Sequence, residues 1–121
     1  MHRSAWLAVA ATNGLIAVVA DLLAGPLLPG LGTEQATRLV AAGARFQMVH
    51  ALALIALLAL GWQREGVAWL FLYGTLLFSG SLYMRAFGLP TPILGFAAIG
   101  AVLALIGWLQ LAWRALMRPR A

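Results

Sequence analysis

The sequence predicts an all-α polytopic membrane protein with four transmembrane helices in an antiparallel up-down bundle. The chain of 121 residues is 64% hydrophobic and 9% charged, which is more apolar surface than a soluble domain of this size can bury. Its stretch 67–87 has no charge before Arg85, and about 20 residues cross a hydrocarbon core roughly 30 Å thick. Short turns separate the apolar stretches, so consecutive helices should run antiparallel.

The first predicted span covers residues 4–24 and is interrupted by Asn13 and Asp21. A positive start before an apolar stretch also fits a cleavable signal peptide, but the length of the stretch favours a span. The following GPLLPGLG, residues 25–32, predicts a loop, because proline and glycine interrupt helices. Thr33 then resembles a helix N-cap.

The second predicted span covers residues 36–62. It is mixed in character up to Arg45 and apolar afterwards, except for Gln47 and His50. The polar turn at 63–66 is short, so the second and third helices should form an antiparallel hairpin.

The third span, 67–87, contains small and weakly polar residues that suit contact with other helices. The turn LPTP at 89–92 follows, and Pro92 suits the first turn of a fourth span over 92–117. In that span Gly100 and Ala104 are a small-xxx-small pair that allows close backbone approach. The small residues of the third span are Gly74, Thr75, Ser79, Gly80 and Ser81.

We expect a single domain over residues 1–121, placed in a bacterial cytoplasmic (inner) membrane. The net charge of +5 does not predict nucleic-acid binding, because the arginines fall at helix ends rather than in one stripe. More of them lie on the side of the two termini, so the positive-inside rule predicts that both termini are cytoplasmic. On that side are Arg3, Arg64, Arg114, Arg118 and Arg120, and opposite are Arg38, Arg45 and Arg85. Trp6, Trp62, Trp69 and Trp113 would also lie at the cytoplasmic helix ends, at headgroup level.

Three charged residues should share one depth near the far edge of the hydrocarbon. Counted at about 1.5 Å per residue, Asp21, Arg45 and Arg85 fall in the same layer. An unpaired charge within a membrane is costly, so we predict an ion pair of Asp21 with Arg45 or Arg85. The alternative is that each arginine snorkels separately to water.

A second group of residues forms a candidate polar core. Gln47 and His50 lie three residues apart and share a helix face. Ser79 and Ser81 fall at a similar depth, and Asn13 lies deeper. We expect His50 to be a neutral donor to Ser79, Ser81 or Asn13, with the role of ligand or proton relay as the alternative.

The sequence favours neither an enzyme nor a cofactor site. It has no cysteine, which excludes disulfides and thiolate sites. His2 lies on the wrong side to join His50 on a haem within one chain, although two copies of His50 in a homodimer stay geometrically possible. No carboxylate shares a helix face with His50 to hold a metal, and no Gly-x-Ser-x-Gly elbow supports a serine nucleophile.

Three motifs carry a family resemblance: RFQMVHALALIALLAL (45–60), LFSGSLY (77–83) and LPTPILG (89–95). In order and spacing they resemble the small four-helix membrane-protein family typified by bacterial YgdD, a domain-of-unknown-function family with eukaryotic relatives. The chain departs from it after the first helix, where VVADLLAGPLL lacks the usual Ala-His. It departs again at Leu94-Gly95, where paired glycines are usual. The resemblance implies that the characteristic residues are Gln47, His50, Ser79, Gly80, Ser81, Tyr83, Thr91 and Pro92.

The residues favour a structural function. Secondary transporters use repeats, broken helices and midplane ion sites, and none of these is recognisable here. We expect a small accessory subunit of a larger membrane assembly, with the lipid bilayer and other membrane-protein subunits or further copies of itself as partners. The alternative is a homo-oligomeric pathway for a small solute or protons that uses the polar layer around His50.

Overall fold

The protein consists of four α-helices in a computed structural model that describes residues 1–26, 31–62, 66–90 and 95–117. The helices are α1 (Arg3–Ala24), α2 (Glu34–Ala59), α3 (Gly66–Ala86) and α4 (Gly95–Met117). Each is long and apolar enough to cross a membrane. Within the described ranges there is no strand. The predicted all-α fold with four membrane-spanning helices is confirmed.

The helix ends follow local chemistry that the sequence encodes. The Thr33 hydroxyl accepts a hydrogen bond from the Ala36 amide at 3.0 Å, so α2 begins just after its predicted N-cap. At the other end Gly61 has a φ of 75°, and the Trp62 amide donates to the Leu57 carbonyl at 2.8 Å. This Schellman motif ends α2 before residue 62.

The end of α3 repeats the same motif. Gly88 has a φ of 72°, and the Leu89 amide donates to the Met84 carbonyl at 2.9 Å. The predicted turn residues 63–65 and 91–94, including Thr91 and Pro92, lie outside the described residues, as do Arg118 and Arg120.

Consecutive helices pack side by side and antiparallel: α1 on α2, α2 on α3, and α3 on α4. Along the described parts of the chain, the backbones of α1 and α4 do not meet. The inner pair is therefore α2 and α3, with α1 and α4 on the outside. The outer helix α4 buries only small residues, namely Gly100, Ala104 and Gly107.

Those small residues let α3 and α4 approach closely. A Cβ added at Gly100 would lie 2.5 Å from the Phe78 amide nitrogen and 2.6 Å from the Gly74 carbonyl oxygen. A Cβ added at Gly74 would lie 2.8 Å from the Gly100 carbonyl oxygen. These distances are shorter than van der Waals contact, so both positions require glycine for this packing.

Two apolar clusters flank a band of polar side chains. The larger cluster includes Trp6, Leu57, Trp62 and Phe71, and the smaller one consists of Ala20, Val40 and Ala44. Trp6 and Trp62 are buried at 2% and 9% exposure, so their rings pack inside the protein instead of facing headgroups as expected. Trp69 and Trp113 do present exposed rings.

Candidate functional site: a buried polar layer

Five polar side chains are buried among the described residues, and together they are called the polar layer here: Asn13, Gln47, His50, Thr75 and Ser79. Three of the four helices contribute to it. In a membrane-spanning protein such residues are costly unless they are hydrogen-bonded, so their partners determine what the layer can do.

The first set of hydrogen bonds ties α1, α2 and α3 together. The Gln47 amide nitrogen donates to Asn13 Oδ1 at 3.0 Å, and the Tyr83 hydroxyl donates to Gln47 Oε1 at 2.8 Å. Asn13 Nδ2 in turn donates to the Val9 carbonyl at 2.9 Å. One glutamine on α2 thus links both neighbouring helices.

Gly43 makes room for the Tyr83 ring. A Cβ on Gly43 would lie 2.7 Å from Tyr83 Cε1, so a side chain there would displace the ring from Gln47. The Gly43 carbonyl also accepts a hydrogen bond from the Ser79 hydroxyl at 2.7 Å. Ser79 therefore supports the α2–α3 contact and does not bond to His50.

His50 links α2 to α4. Trp108 Nε1 donates to His50 Nε2 at 3.1 Å, while His50 Nδ1 lies 2.8 Å from the Phe46 carbonyl. An indole N–H only donates, so Nε2 must accept and the proton must sit on Nδ1, where it is donated to Phe46. Both ring nitrogens of a neutral imidazole are thereby occupied. The expected donation from His50 to Ser79, Ser81 or Asn13 is wrong, because the histidine accepts its interhelical bond from a residue of α4.

Aromatic rings enclose the imidazole. The Phe46 ring stacks on His50 with centroids 4.2 Å apart, and the Phe71 ring meets it edge-on at 5.3 Å. Ligand access to either nitrogen would require displacing Trp108 or the Phe46 carbonyl.

Two hydroxyls behave differently from the rest. Ser81 donates to the Leu77 carbonyl of its own helix, so it lies outside the interhelical network. Thr75 is 2% exposed, and its hydroxyl has no hydrogen-bond partner among the described residues. Thr75 is the unsatisfied member of the polar layer.

The predicted ion pair of Asp21 with Arg45 or Arg85 is wrong. Within the described parts of the chain, the only oppositely charged side chains closer than 4.0 Å are Arg38 and Glu34, one turn apart on α2. Asp21 and Arg45 line one groove between α1 and α2 without touching, whereas Arg85 lines a different groove beside α2. The predicted common depth therefore did not bring Arg85 into the groove that Asp21 and Arg45 share.

A metal site in a chain without cysteine would need a cluster of His, Asp and Glu side chains. Among the described residues, no three of these side chains lie together in a way that could hold a metal ion. The groups of the polar layer are mainly amides and hydroxyls, which serve here as hydrogen-bond partners between helices.

Three contributors were not placed in the candidate polar core from the residue pattern. Trp108 sits in a largely apolar helix without a polar pattern to mark it, and Tyr83 was named only as a residue that the family resemblance implies. Gly43 stands four residues before Gln47 and seven before His50, a spacing that places all three on one helix face. That spacing is the sequence feature that could have placed Gly43 in the site.

Comparison with known proteins agrees with this architecture. A UPF0382 membrane protein of Haemophilus influenzae is 32% identical over 115 residues, covering 92% of this chain and 93% of that protein. A UPF0382 membrane protein of Staphylococcus saprophyticus is 36% identical over 74 residues, covering 54% of this chain and 58% of the relative. No solved structure matches the chain.

A family model described as "Protein of unknown function (DUF423)" matches residues 27–101. This range includes α2, α3 and the start of α4, and so contains Gln47, His50, Ser79 and Tyr83 of the hydrogen-bonded network. Neither the family description nor the names of the relatives assigns an enzymatic activity. The chain belongs to the DUF423 family and, like its UPF0382 relatives, is a bacterial-type membrane protein.

Proposed function

We propose that this protein is a non-enzymatic accessory subunit of a larger assembly in the cytoplasmic membrane. In this proposal the chain is one domain that crosses the membrane four times, with both termini in the cytoplasm. The proposal also includes the resemblance to YgdD proteins and their eukaryotic relatives, which would then share this role. The observation that carries the proposal is that the polar layer, apart from Thr75, is hydrogen-bonded within the chain itself.

Hydrogen bonding of these polar groups within the chain favours a structural role over catalysis or transport. Both His50 nitrogens have partners, and Gln47 uses its amide nitrogen and its amide oxygen to hold two other helices. A catalytic or transporting group needs at least one atom free to meet a substrate. Hydrogen bonds between membrane helices are worth about 0.6 kcal/mol each on average, so these bonds stabilise the contacts that they cross.

The outer helices offer the surface that an assembly would use. Along α1 and α4 many large apolar side chains stay uncovered, among them Leu15, Val102 and Leu109. Lipid covers such residues in a free subunit, and a partner helix covers some of them in an assembly.

The proposal is tested by the composition of the native particle. The tagged chain, expressed at its native level, is purified in mild detergent or directly in lipid nanodiscs, and its mass and subunits are measured. A larger membrane protein should co-purify in fixed stoichiometry. Recovery of the chain alone or as a homo-oligomer contradicts the proposal.

Two matched variants locate the contact. Val102→Trp on α4 and Leu15→Trp on α1 both enlarge an exposed apolar side chain without touching the polar layer. If the partner sits on one outer helix, the variant on that helix loses the partner and the other variant keeps it. Equal retention by both would place the contact elsewhere and speaks against a partner on either outer helix.

The alternative function is a homo-oligomeric pathway for a small solute or protons beside His50. The observation that favours it is the unpartnered Thr75 hydroxyl in the polar layer, since an unsatisfied buried hydroxyl suits a passing water. Liposomes that contain the purified chain and a pH-sensitive dye would show proton entry, which His50→Gln should abolish. Flux equal to that of empty liposomes rules out a proton pathway.

A further inference from the structure

The groove between α1 and α2 carries two opposite charges that do not meet. Its volume is about 310 Å³, and its charged residues are Asp21 and Arg45. Its apolar wall includes Val18, Leu22 and Val49, and these three residues are nearly half exposed. The groove therefore opens onto the outer surface of the protein, where lipid would lie.

Neither charge has a partner among the described residues that would explain its position. Asp21 lies one turn before the end of α1 at Ala24, and Arg45 lies well inside the long helix α2. No side chain among the described residues forms an ion pair with either one. A charge near the hydrocarbon edge is costly without a counter-charge, so a ligand that carries both signs suits this groove.

We propose that this groove binds a phospholipid with a headgroup that combines a phosphate and a primary ammonium, as in phosphatidylethanolamine. The guanidinium of Arg45 supplies paired N–H donors to the phosphate, and the Asp21 carboxylate accepts hydrogen bonds from the ammonium. An acyl chain then runs along Val18 and Val49.

The chemistry of the groove sets a headgroup preference. A choline headgroup has the same charges but no N–H, so Asp21 gains no hydrogen bond from it. A glycerol headgroup leaves the lipid anionic and places no cation beside Asp21. The expected order of affinity is ethanolamine first, with choline and glycerol headgroups weaker.

The test uses the full chain after its lipids have been removed in detergent. Phospholipids with ethanolamine, choline and glycerol headgroups are added one at a time, and native mass spectrometry measures how much of each stays bound. The wild-type chain should retain phosphatidylethanolamine at least about tenfold better than the N-trimethylated choline lipid of the same acyl chains, a difference that corresponds to 1.4 kcal/mol. Equal retention of the three headgroups overturns the proposal. So does the appearance of a dimer whose formation excludes lipid, since a second copy then occupies the groove.

Variants separate the two charges. Arg45→Gln should weaken binding of all three phospholipids. Asp21→Leu, which has no acceptor oxygen, should remove the preference for ethanolamine over choline and leave the phosphate contact. Arg38→Gln is the matched control, because Arg38 is an exposed arginine on the same helix and pairs with Glu34. A loss in Arg38→Gln equal to that in Arg45→Gln contradicts the proposal. If a variant does not fold, the comparison of the three headgroups on the wild-type chain still tests the proposal.

Discussion

Substituting Gly100 by alanine should separate α3 from α4. The added Cβ would lie 2.5 Å from the Phe78 amide nitrogen and 2.6 Å from the Gly74 carbonyl oxygen. Both are backbone atoms in helices, so neither can rotate away as a side chain could. Relief therefore requires a movement of one helix relative to the other.

The magnitude follows from these distances. Ordinary contact between heavy atoms is about 3.5 to 4.0 Å, so the helices must move apart by about 1 Å at the crossing. A gap of 0.5 to 1 Å forfeits roughly a quarter to a half of the attraction of each atom pair along the seam. Overpacking of this kind typically costs about 1–3 kcal/mol, and we expect the free energy of unfolding to fall by that amount.

Gly80→Ala is the matched control for this substitution. Gly80 lies in the same helix as Gly74, but a Cβ there meets nothing within 4 Å. Replacing a helical glycine by alanine without a clash favours the helix by about 0.5–1 kcal/mol. The control should therefore be as stable as the wild type or slightly more stable.

The assay is unfolding of each purified variant in mixed detergent micelles with increasing SDS, followed by tryptophan fluorescence and circular dichroism. The midpoint for Gly100→Ala should fall clearly below that of the wild type, with Gly80→Ala at or above it. If the two alanine variants unfold together, the close approach of α3 and α4 does not control stability and the reasoning fails.

Three further substitutions probe the polar layer in the same unfolding assay. Tyr83→Phe removes the donor to Gln47 and should cost about 0.6–1.7 kcal/mol, so an unchanged midpoint would show that this bond contributes nothing. Trp108→Phe retains an aromatic ring but leaves His50 Nε2 without its donor, and a loss of about 1 kcal/mol is expected; stability equal to the wild type would mean that the imidazole finds water instead. Thr75→Val has nearly the same shape and removes a hydroxyl that has no partner, so stability should hold or rise, and a clear loss would reveal a partner for that hydroxyl.

Hydropathy and local chemistry made the helices predictable from the sequence. The lengths of the apolar stretches reflect the thickness of the hydrocarbon core, and Thr33 begins α2 through a side-chain cap that local sequence alone specifies. The end of α2 was harder to place, because Gly61 stops the helix while Trp62 remains apolar and reads as part of the span.

Contacts between helices were harder to predict because they depend on how each helix is rotated about its axis. Depth can be counted along a chain, and it placed Asp21 and Arg85 in one layer, yet they line different grooves. From Gly95 to Leu109 the α4 sequence is apolar, so it gave no reason to turn Trp108 toward His50. The small residues on α4 were informative because close approach leaves few alternatives to glycine.

Four side-chain hydrogen bonds described above join different helices, and all four involve α2. Asn13, Tyr83, Ser79 and Trp108 come from α1, α3 and α4, and each of them bonds to a residue of α2. On α2 those residues are Gly43, Gln47 and His50, spaced four and three apart, which is one stripe along a helix.

This stripe matters because lipid removes the usual reason for helices to associate. Apolar side chains are as well solvated by lipid tails as by each other, so the two apolar clusters fill space but discriminate weakly between registers. A polar stripe whose bonds form at only one alignment does discriminate, as a single buried asparagine does in a coiled coil. The hydrogen bonds from α1, α3 and α4 to α2 thus support α2 as the helix against which the other three are aligned, with the polar stripe specifying their register.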